Sequence, residues 1–501
     1  MMHSWSDISL LVRARHTSPC DIDTTRPDTH LLRFIVVTAG LCCSMLFIIV
    51  GLGYELQLYG DGSIFSYSIA AEDAWAFHWH NIVGRLFVYL FSYVPAETYV
   101  TVAGDPRGGI VIYGFLFFAA PLLGLTASWV ADRSKGRIIF AYACGSTACL
   151  CPLIFGFPTE VWMAHALFWP ALALCHYARR GIGGTIAVFM ALLMLAFTHE
   201  GALIFIAAIL ATLLLRRRGD ATFMRAGISI LVVMSIWALV KAIFPADPYF
   251  AAVFDRAALH VFDISIFTGD LVQLLFGALA VYAIAVYVLW RLSPATAAAY
   301  GVLIVAAVLA AHWLWFDHAL HADNRYYMRT ILLIATPMLG TCAAAYAARA
   351  DGHLSLAVPS LLRLMSAFES GAMARTTAGA LLLVMLVHVV ETTKFVSLWT
   401  HYKDAVRILA MSTASNPELG NSHFVSSTGI GAHLNRLSWS STTQYLSVLL
   451  TPNFAPSRLV LDATANYFWL TCKTATNNEM EYRTLPVESR RLVRVYACLH
   501  R

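Results

Sequence analysis

The sequence predicts an all-α polytopic membrane protein with about eleven transmembrane helices. Three observations carry the prediction. Of 501 residues, 59% are hydrophobic and only 13% are charged, about half the charged fraction of a typical soluble domain. Mean hydropathy is +0.67. Apolar runs recur along the chain, and Lys and Arg concentrate in every second loop between them. The net charge of +5 is not a nucleic-acid signature, because the basic residues flank apolar runs rather than forming a stripe.

The first apolar segment runs from about Phe34 to Tyr54. Arg13, Arg15, Arg26 and Arg33 precede it, which assigns residues 1–33 to the cytoplasm. The run is long enough to span, and no cleavage site follows it, so no removable signal peptide is expected. A long outer loop, 55–108, follows. It contains YGDGSIFSYSIAAEDAWAFHWHN and then an apolar stretch, Ile82 to Val102, interrupted by Arg85, Pro95 and Glu97. A full crossing there would put Asp132, Arg133, Lys135 and Arg137 outside and invert every later loop. The stretch is therefore expected to form interfacial or re-entrant helices on the outer face, which Trp75 and Trp79 also suit.

Segments Gly109–Val130, Ile138–Phe155 and Val161–His176 come next. The stretch Thr185–Leu215 is apolar except for His199-Glu200, and it is flanked by Arg179-Arg180 and Arg216-Arg217-Arg218. Two basic flanks imply two helices in a hairpin with His199 and Glu200 at its outer turn. Each half falls short of the roughly 20 residues a span needs, so one long tilted helix is the alternative. Segments Ala226–Phe244, Leu271–Trp290, Ala297–Phe316, Thr330–Ala347 and Thr376–Val390 complete the membrane domain, 34–393. Residues 394–501 are polar and mixed. Runs such as SRLVLDA and RLVRVYACL predict a small α/β domain on the outer face. In this arrangement the inner loops and N-terminus hold 17 Lys/Arg, and the outer loops before residue 394 hold six: Arg85, Arg107, Lys241, Arg256, Arg325 and Arg329.

Eight of the ten cysteines lie in the N-terminal segment or in apolar runs, where Cys behaves as a small hydrophobe. Cys472 and Cys498 fall in the outer region and are a candidate disulfide. No CxxC pair or metal-type His/Cys spacing appears. No cofactor is required by the sequence, although a divalent cation would suit its acidic residues.

The residues able to carry chemistry cluster on the outer side. Asp61, in YGDGS, sits just beyond the first segment. It is placed to act as a general base toward an acceptor hydroxyl, and an ordinary Asp-Gly turn is the alternative. Glu72 and Asp73 are placed to orient a substrate or bind a cation, or else to point apart on a helix surface. His199-Glu200 is an ionisable pair between apolar runs, costly unless it faces a cavity or a partner. Capping of the turn is the competing account. No His stands four residues after His199, so a zinc-protease site is unsupported. The loop from Asp317 to Arg329 holds His318 and His321, about one turn apart, and Arg325 and Arg329, one turn apart and suited to a phosphate. Mutual pairing of these loop charges is the alternative. His165, His312 and His388 within spans are expected to make interhelical hydrogen bonds.

This layout resembles the GT-C superfamily of integral-membrane glycosyltransferases. The points of resemblance are the cytoplasmic N-terminus, Asp61 just after the first segment, the interfacial stretch Ile82–Val102, about eleven spans, and the outer tail from Lys394. It is a likeness of architecture over the whole chain; the tail has no WWDYG-like motif. The resemblance implies transfer of a sugar from a polyprenyl-phosphate donor to a glycan, lipid or protein acceptor. Asp61 would be the base, Arg325 and Arg329 would stabilise the phosphate, and His199 and Glu200 would line the same cavity. It also implies a multi-pass membrane protein with its C-terminal domain outside, and the absence of eukaryotic targeting signals points to the bacterial inner membrane. Two other readings remain: a transporter or flippase of a lipid-linked substrate, and a lipid-carrier-dependent polymerase or ligase.

Overall fold

The computed structural model describes residues 27–72, 74, 84–150, 160–215, 221–244, 270–289, 294–315, 325–354, 370–412, 424–435, 437, 442–454 and 456–461. The chain is overwhelmingly helical. Helix α1 spans Pro27–Gly53. It already includes the seven residues before the expected Phe34, so Arg33 is carried within the helix. A 3-10 turn, Leu56–Leu58, leads into the short buried helix α2, Asp61–Ala70. Helix α3 is Leu86–Ala103, with a π-helical turn at Tyr89–Tyr93. Then follow α4 Pro106–Ala131, α5 Ile138–Leu150, α6 Glu160–Tyr177, α7 Ile182–Ala196, α8 Ala202–Leu213 and α9 Ala221–Ile243. The later helices are α10 Asp270–Leu289, α11 Pro294–Trp315, α12 Arg325–Ala350 and α13 Gly371–Met411. Seven helices among the described residues are long and apolar enough to cross a membrane, and four shorter ones are also apolar. Phe34, Ile49, Leu231 and Tyr287 lie bare on their surfaces, as lipid-facing side chains do.

Small residues let the helices approach closely. Gly40 lies on the backbone of Cys144, and Gly124 on the carbonyl of Ala166; a Cβ at Gly124 would stand 2.4 Å from that oxygen. Phe47 fills the space beside them, edge-on to Phe118 and Trp162 at 5.0 and 5.9 Å.

Hydrogen bonds sort the helix ends into two groups. At one end Asp351, after α12, accepts from the Lys135 N–H at 3.0 Å and from the Tyr177 hydroxyl at 2.5 Å. His176 meets Thr212 at 2.9 Å, and Arg225 donates to the carbonyls of Arg179 and Ala178. The ends of α4, α6, α8 and α12 and the starts of α5 and α9 therefore gather at this basic end. Arg85, Glu160, Glu200 and Lys241 gather at the opposite end. The stretch 185–215 is two helices with a turn at 197–201, and both outer termini of the pair lie at the basic end. The hairpin expected from its basic flanks is present, and its turn is at the other end.

The expected interfacial stretch is α3. By length and composition it counts among the seven candidate spans, but it packs on α2 and on the first two turns of α4. Gly114 of α4 lies against Gln57, just past the end of α1. Residues 106–113 therefore extend about 12 Å beyond α1, and α3 lies along that extension: Val100 and Ala96 cover Gly109, and Tyr93 meets Tyr113.

Helix α13 corrects the expected boundary at residue 394. It is a single helix of 41 residues, about 60 Å long, unbroken through Lys394. Its far half binds the end of α1: Trp399 Nε1 and Lys403 Nζ both donate to the Tyr54 carbonyl at 2.9 Å. Beyond it, β1 (Phe424–Ser426) and β2 (Leu459–Leu461, within SRLVLDA) pair in parallel. Between them are α14 (Ala432–Asn435) and α15 (Thr443–Leu449), and α15 is buried. RLVRVYACL, Cys472 and Cys498 lie outside the described residues. The six described cysteines carry free thiols. His165 bonds Ser146 at 2.9 Å and His388 bonds the Cys149 carbonyl at 3.1 Å, the interhelical role expected of them.

Gly124→Val is expected to destabilise the bundle by about 1–3 kcal/mol, the usual cost of overpacking where backbone cannot yield. Gly277→Ala, where an added Cβ meets nothing within 4 Å, should be neutral or slightly stabilising. Melting temperatures of the two variants in detergent check this.

Candidate active site

The site is assembled from loop segments at the end of the bundle away from the basic loops. Asp61 opens α2. The residue before it, Gly60, has φ +57° and ψ −133°, a left-handed backbone suited to glycine, and this turns the chain sharply into the helix. Ser63 Oγ bonds back to the Gly60 carbonyl at 2.9 Å and to the Thr442 carbonyl at 3.2 Å, fixing this start. The positive end of the helix dipole lies at Asp61.

One turn further on, Phe65 packs against Tyr93 at 5.6 Å and Tyr113 at 6.5 Å, and the two tyrosine rings are 5.4 Å apart. Both tyrosines are fully buried. Their hydroxyls feel the charges of both Asp61 and Glu160. The tyrosine pair is thus a wall shared by the base candidate and by a second group of charges.

That second group centres on Arg85, 7% exposed. Its Nη1 pairs with Glu160 Oε2 at 3.0 Å. Its Nε and Nη2 donate to Glu200 Oε2 at 3.1 and 2.9 Å, using the forked geometry of guanidinium. Lys241 Nζ reaches Glu200 Oε1 at 3.2 Å. Gly84, with φ +98°, lets the Lys241 stem lie across the backbone; a Cβ there would be 2.8 Å from Lys241 Cε. Glu160 is the first residue of α6, and Lys241 lies in the last turn of α9. Burial opposes charge on Arg85, but Glu160 and Glu200 outweigh it and hold the guanidinium charged. Burial likewise pushes the Glu200 carboxyl up, and Arg85, His199 and Lys241 outweigh that and hold it well below the usual carboxylate range. Glu160 Oε1 is buried without a hydrogen-bond partner among the described residues, an acceptor available to a ligand.

The expected site residues divide. His199 and Glu200 stand together but do different work. His199 Nδ1 accepts the Gly201 N–H at 2.8 Å and closes the turn, whereas Glu200 holds the cations. Glu72 is exposed, with φ +59°, and accepts from Thr101 Oγ1 at 3.1 Å near the far end of α3. Arg85 is at the near end, about 24 Å away along the helix, so the structure does not bring Glu72 to this cluster. Arg325 and Arg329 lie two turns and one turn before Leu333 on α12. Leu333 packs on Gly201, so the helix carrying both arginines passes beside the His199–Glu200 turn, with Arg329 one turn and Arg325 two turns further along it. Asp73, His318 and His321 lie outside the described residues. Among those described, no three His, Cys, Asp or Glu side chains gather into a metal-type cluster.

Sequence reasoning missed Arg85, Glu160 and Lys241 as site residues. A signal existed for two of them, since Arg85 and Lys241 are among the six basic residues placed in outer loops against the prevailing bias. Chemically, the arrangement offers one carboxylate at a helix start, a tyrosine wall, and a buried charge-balanced cluster. It is able to accept a proton at Asp61 and to orient a polar ligand beside the tyrosines.

The depressed Glu200 value carries a pH consequence. A carboxyl held low in the folded state stabilises the fold above its ordinary value of 4.5, and that contribution is lost as pH falls below it. The melting temperature of the wild type should therefore drop as pH is lowered from about 5.5. Glu200→Gln should melt lower at neutral pH and show a shallower acid slope. Equal slopes would refute the role given to Glu200.

No family model, no curated protein and no solved structure matches this chain.

Proposed function

We propose that this chain is a membrane glycosyltransferase of the GT-C kind, with eleven spans and a small α/β domain outside. It takes a sugar from a polyprenyl-phosphate donor and delivers it to a hydroxyl of a glycan, lipid or protein acceptor. In this reading α3 lies at the outer surface and the helices α1 and α4 to α13 cross the bilayer. The basic end is cytoplasmic, as in the inner membrane of a bacterium. The observation that carries the proposal is the position of Asp61. It begins a buried helix immediately beyond the first span, whose Phe65 packs on Tyr93 and Tyr113, at the end of the bundle away from the basic loops.

Asp61 deprotonates the acceptor hydroxyl as its oxygen attacks the anomeric carbon. The bond from that carbon to the phosphate oxygen breaks, and its electrons leave on the phosphate. Attack from the side opposite the phosphate inverts the anomeric centre. Arg325 and Arg329, on the helix that passes beside the His199–Glu200 turn, offset the growing charge. The donor arrives from the lipid phase, so no nucleotide loop is required.

The buried ionisable cluster at the turn of a short hairpin favours a second reading, a transporter or flippase in which such groups relay protons or gate a path. The test is transfer of radiolabelled sugar from a polyprenyl-phosphate donor pool by the purified chain in lipid. Asp61→Asn should lower the rate by about 10²–10⁴, the usual worth of a general base. Transfer that persists at the wild-type rate would move the base elsewhere. No transfer by the wild type, with substrate flux in proteoliposomes, would establish the transporter.

A further inference from the structure

The Arg85 cluster joins four separate stretches of chain, and its position suggests a purpose beyond holding the bundle together. Three contacts converge where the outer loop meets the α7–α8 turn. Arg85 binds Glu160 and Glu200. The next-but-one residue, Phe87, donates its N–H to the Phe197 carbonyl at 3.1 Å. The preceding residue, Gly84, is the seat of the Lys241 stem, and Lys241 also binds Glu200. The segment 84–87 is thus pinned at each of its ends and at its centre to α6, the α7–α8 turn and α9.

From this anchor the chain runs directly into α3, whose π-helical turn ends at Tyr93. A π turn shifts the register of the residues that follow, and such turns recur at functional sites. Tyr93 lies about 12 Å along the helix from Arg85 and packs on Phe65, one turn beyond Asp61. A continuous line of contact therefore leads from Arg85 through α3 and Tyr93 to the helix that begins with Asp61. If segment 84–87 swings away from Glu200, the start of α3 moves and the wall against α2 moves with it.

We propose that Arg85 is the positioning residue of the Asp61 site. It clamps the start of α3 to Glu160 and Glu200 and so holds Tyr93 against the helix of the base. Its role does not require contact with substrate. The clamp needs guanidinium in particular, because one side chain must satisfy two carboxylates arriving from different helices. An ammonium at this place retains the charge but lacks the fork. The proposal rests on the reading of Asp61 as the base, and its first test is independent of that reading.

Hydrogen exchange by mass spectrometry on the full chain in nanodiscs compares wild type, Arg85→Gln, Arg85→Lys and Glu200→Gln. Exchange in peptides covering 84–93 and 197–203 should rise at least tenfold in Arg85→Gln. Arg85→Lys and Glu200→Gln should fall between it and wild type, and peptides covering 139–148 in α5 should be unchanged. Unchanged exchange at 84–93 would overturn the clamp. A rise that includes α5 would overturn it too, by making Arg85 a general support of the fold. If Arg85→Gln is too unstable to purify, Arg85→Lys and Glu200→Gln carry the same comparison.

In the sugar-transfer assay, Arg85→Gln should lower kcat at least tenfold with less than a threefold change in the donor KM, and Arg85→Lys should recover part of kcat. Local loosening without loss of kcat would overturn the positioning role. Local loosening in a protein whose wild type transfers no sugar would leave the clamp standing. In that case the role toward Asp61 would fall together with the glycosyltransferase reading.

Discussion

Arg85 carries one positive charge into a region where water is scarce, and two carboxylates from distant parts of the sequence meet it there. A buried charge without a partner is strongly unfavourable, so each member of this group depends on the others being in place. Glu160 must open α6 at the same level as the α7–α8 turn. Lys241 must end α9 beside them. The chain between α2 and α3 must bring Gly84 and Arg85 back over all three. The register of four helices at this end of the bundle is linked to one guanidinium, and so is the start of α3. Apolar packing alone does not set such a register, because Leu and Val contacts tolerate a slide of one turn far better than a charge pair does.

The opposite end is held differently. There Asp132 caps the start of α5, accepting from Ser134 and Phe140. Asp351 ties the α4–α5 loop to the end of α6, and arginines supply donors to exposed carbonyls. These bonds join charged groups to backbone and to a hydroxyl, and they range from the buried caps made by Asp132 to the exposed Lys135 N–H. One end is therefore held by four ionised side chains that depend on one another, and the other by carboxylates and arginines paired with backbone groups and a hydroxyl.

The length of α13 connects the membrane region to the C-terminal residues. A helix of about 60 Å exceeds the hydrocarbon thickness of about 30 Å by a factor of two. Its C-terminal half extends past the end of α1. Lys403 and Trp399 both donate to the Tyr54 carbonyl just past α1, and Arg407 donates to the Leu450 carbonyl. Arg107, at the protruding tip of α4, reaches the Thr451 carbonyl from the other side. The segment carrying α15 is thereby held above α2, so the helix that begins at Asp61 is enclosed by α4, α3 and the C-terminal residues together.

Much of this was legible in the sequence, because the membrane imposes simple rules. Apolar runs and alternating Lys/Arg loops were sufficient to place helices at Gly109–Val130 or Ala226–Phe244 within a few residues. The basic flanks of 185–215 favoured a hairpin but left one long tilted helix open, and the structure shows two helices. Asp61 could be singled out from its place after the first span and its flanking glycines. What the sequence could not reveal is which charges meet. Glu160 reads as the end of a short loop, and Arg85 as an interruption in an apolar stretch. Nothing in their spacing from Glu200, 40 and 115 residues away, relates them. Nor could periodicity distinguish a helix that ends at the membrane surface from one that continues, as α13 does through Lys394. Both outcomes were decided by tertiary structure, because the pairing of buried charges and the support of a protruding helix depend on neighbours brought in from elsewhere in the chain.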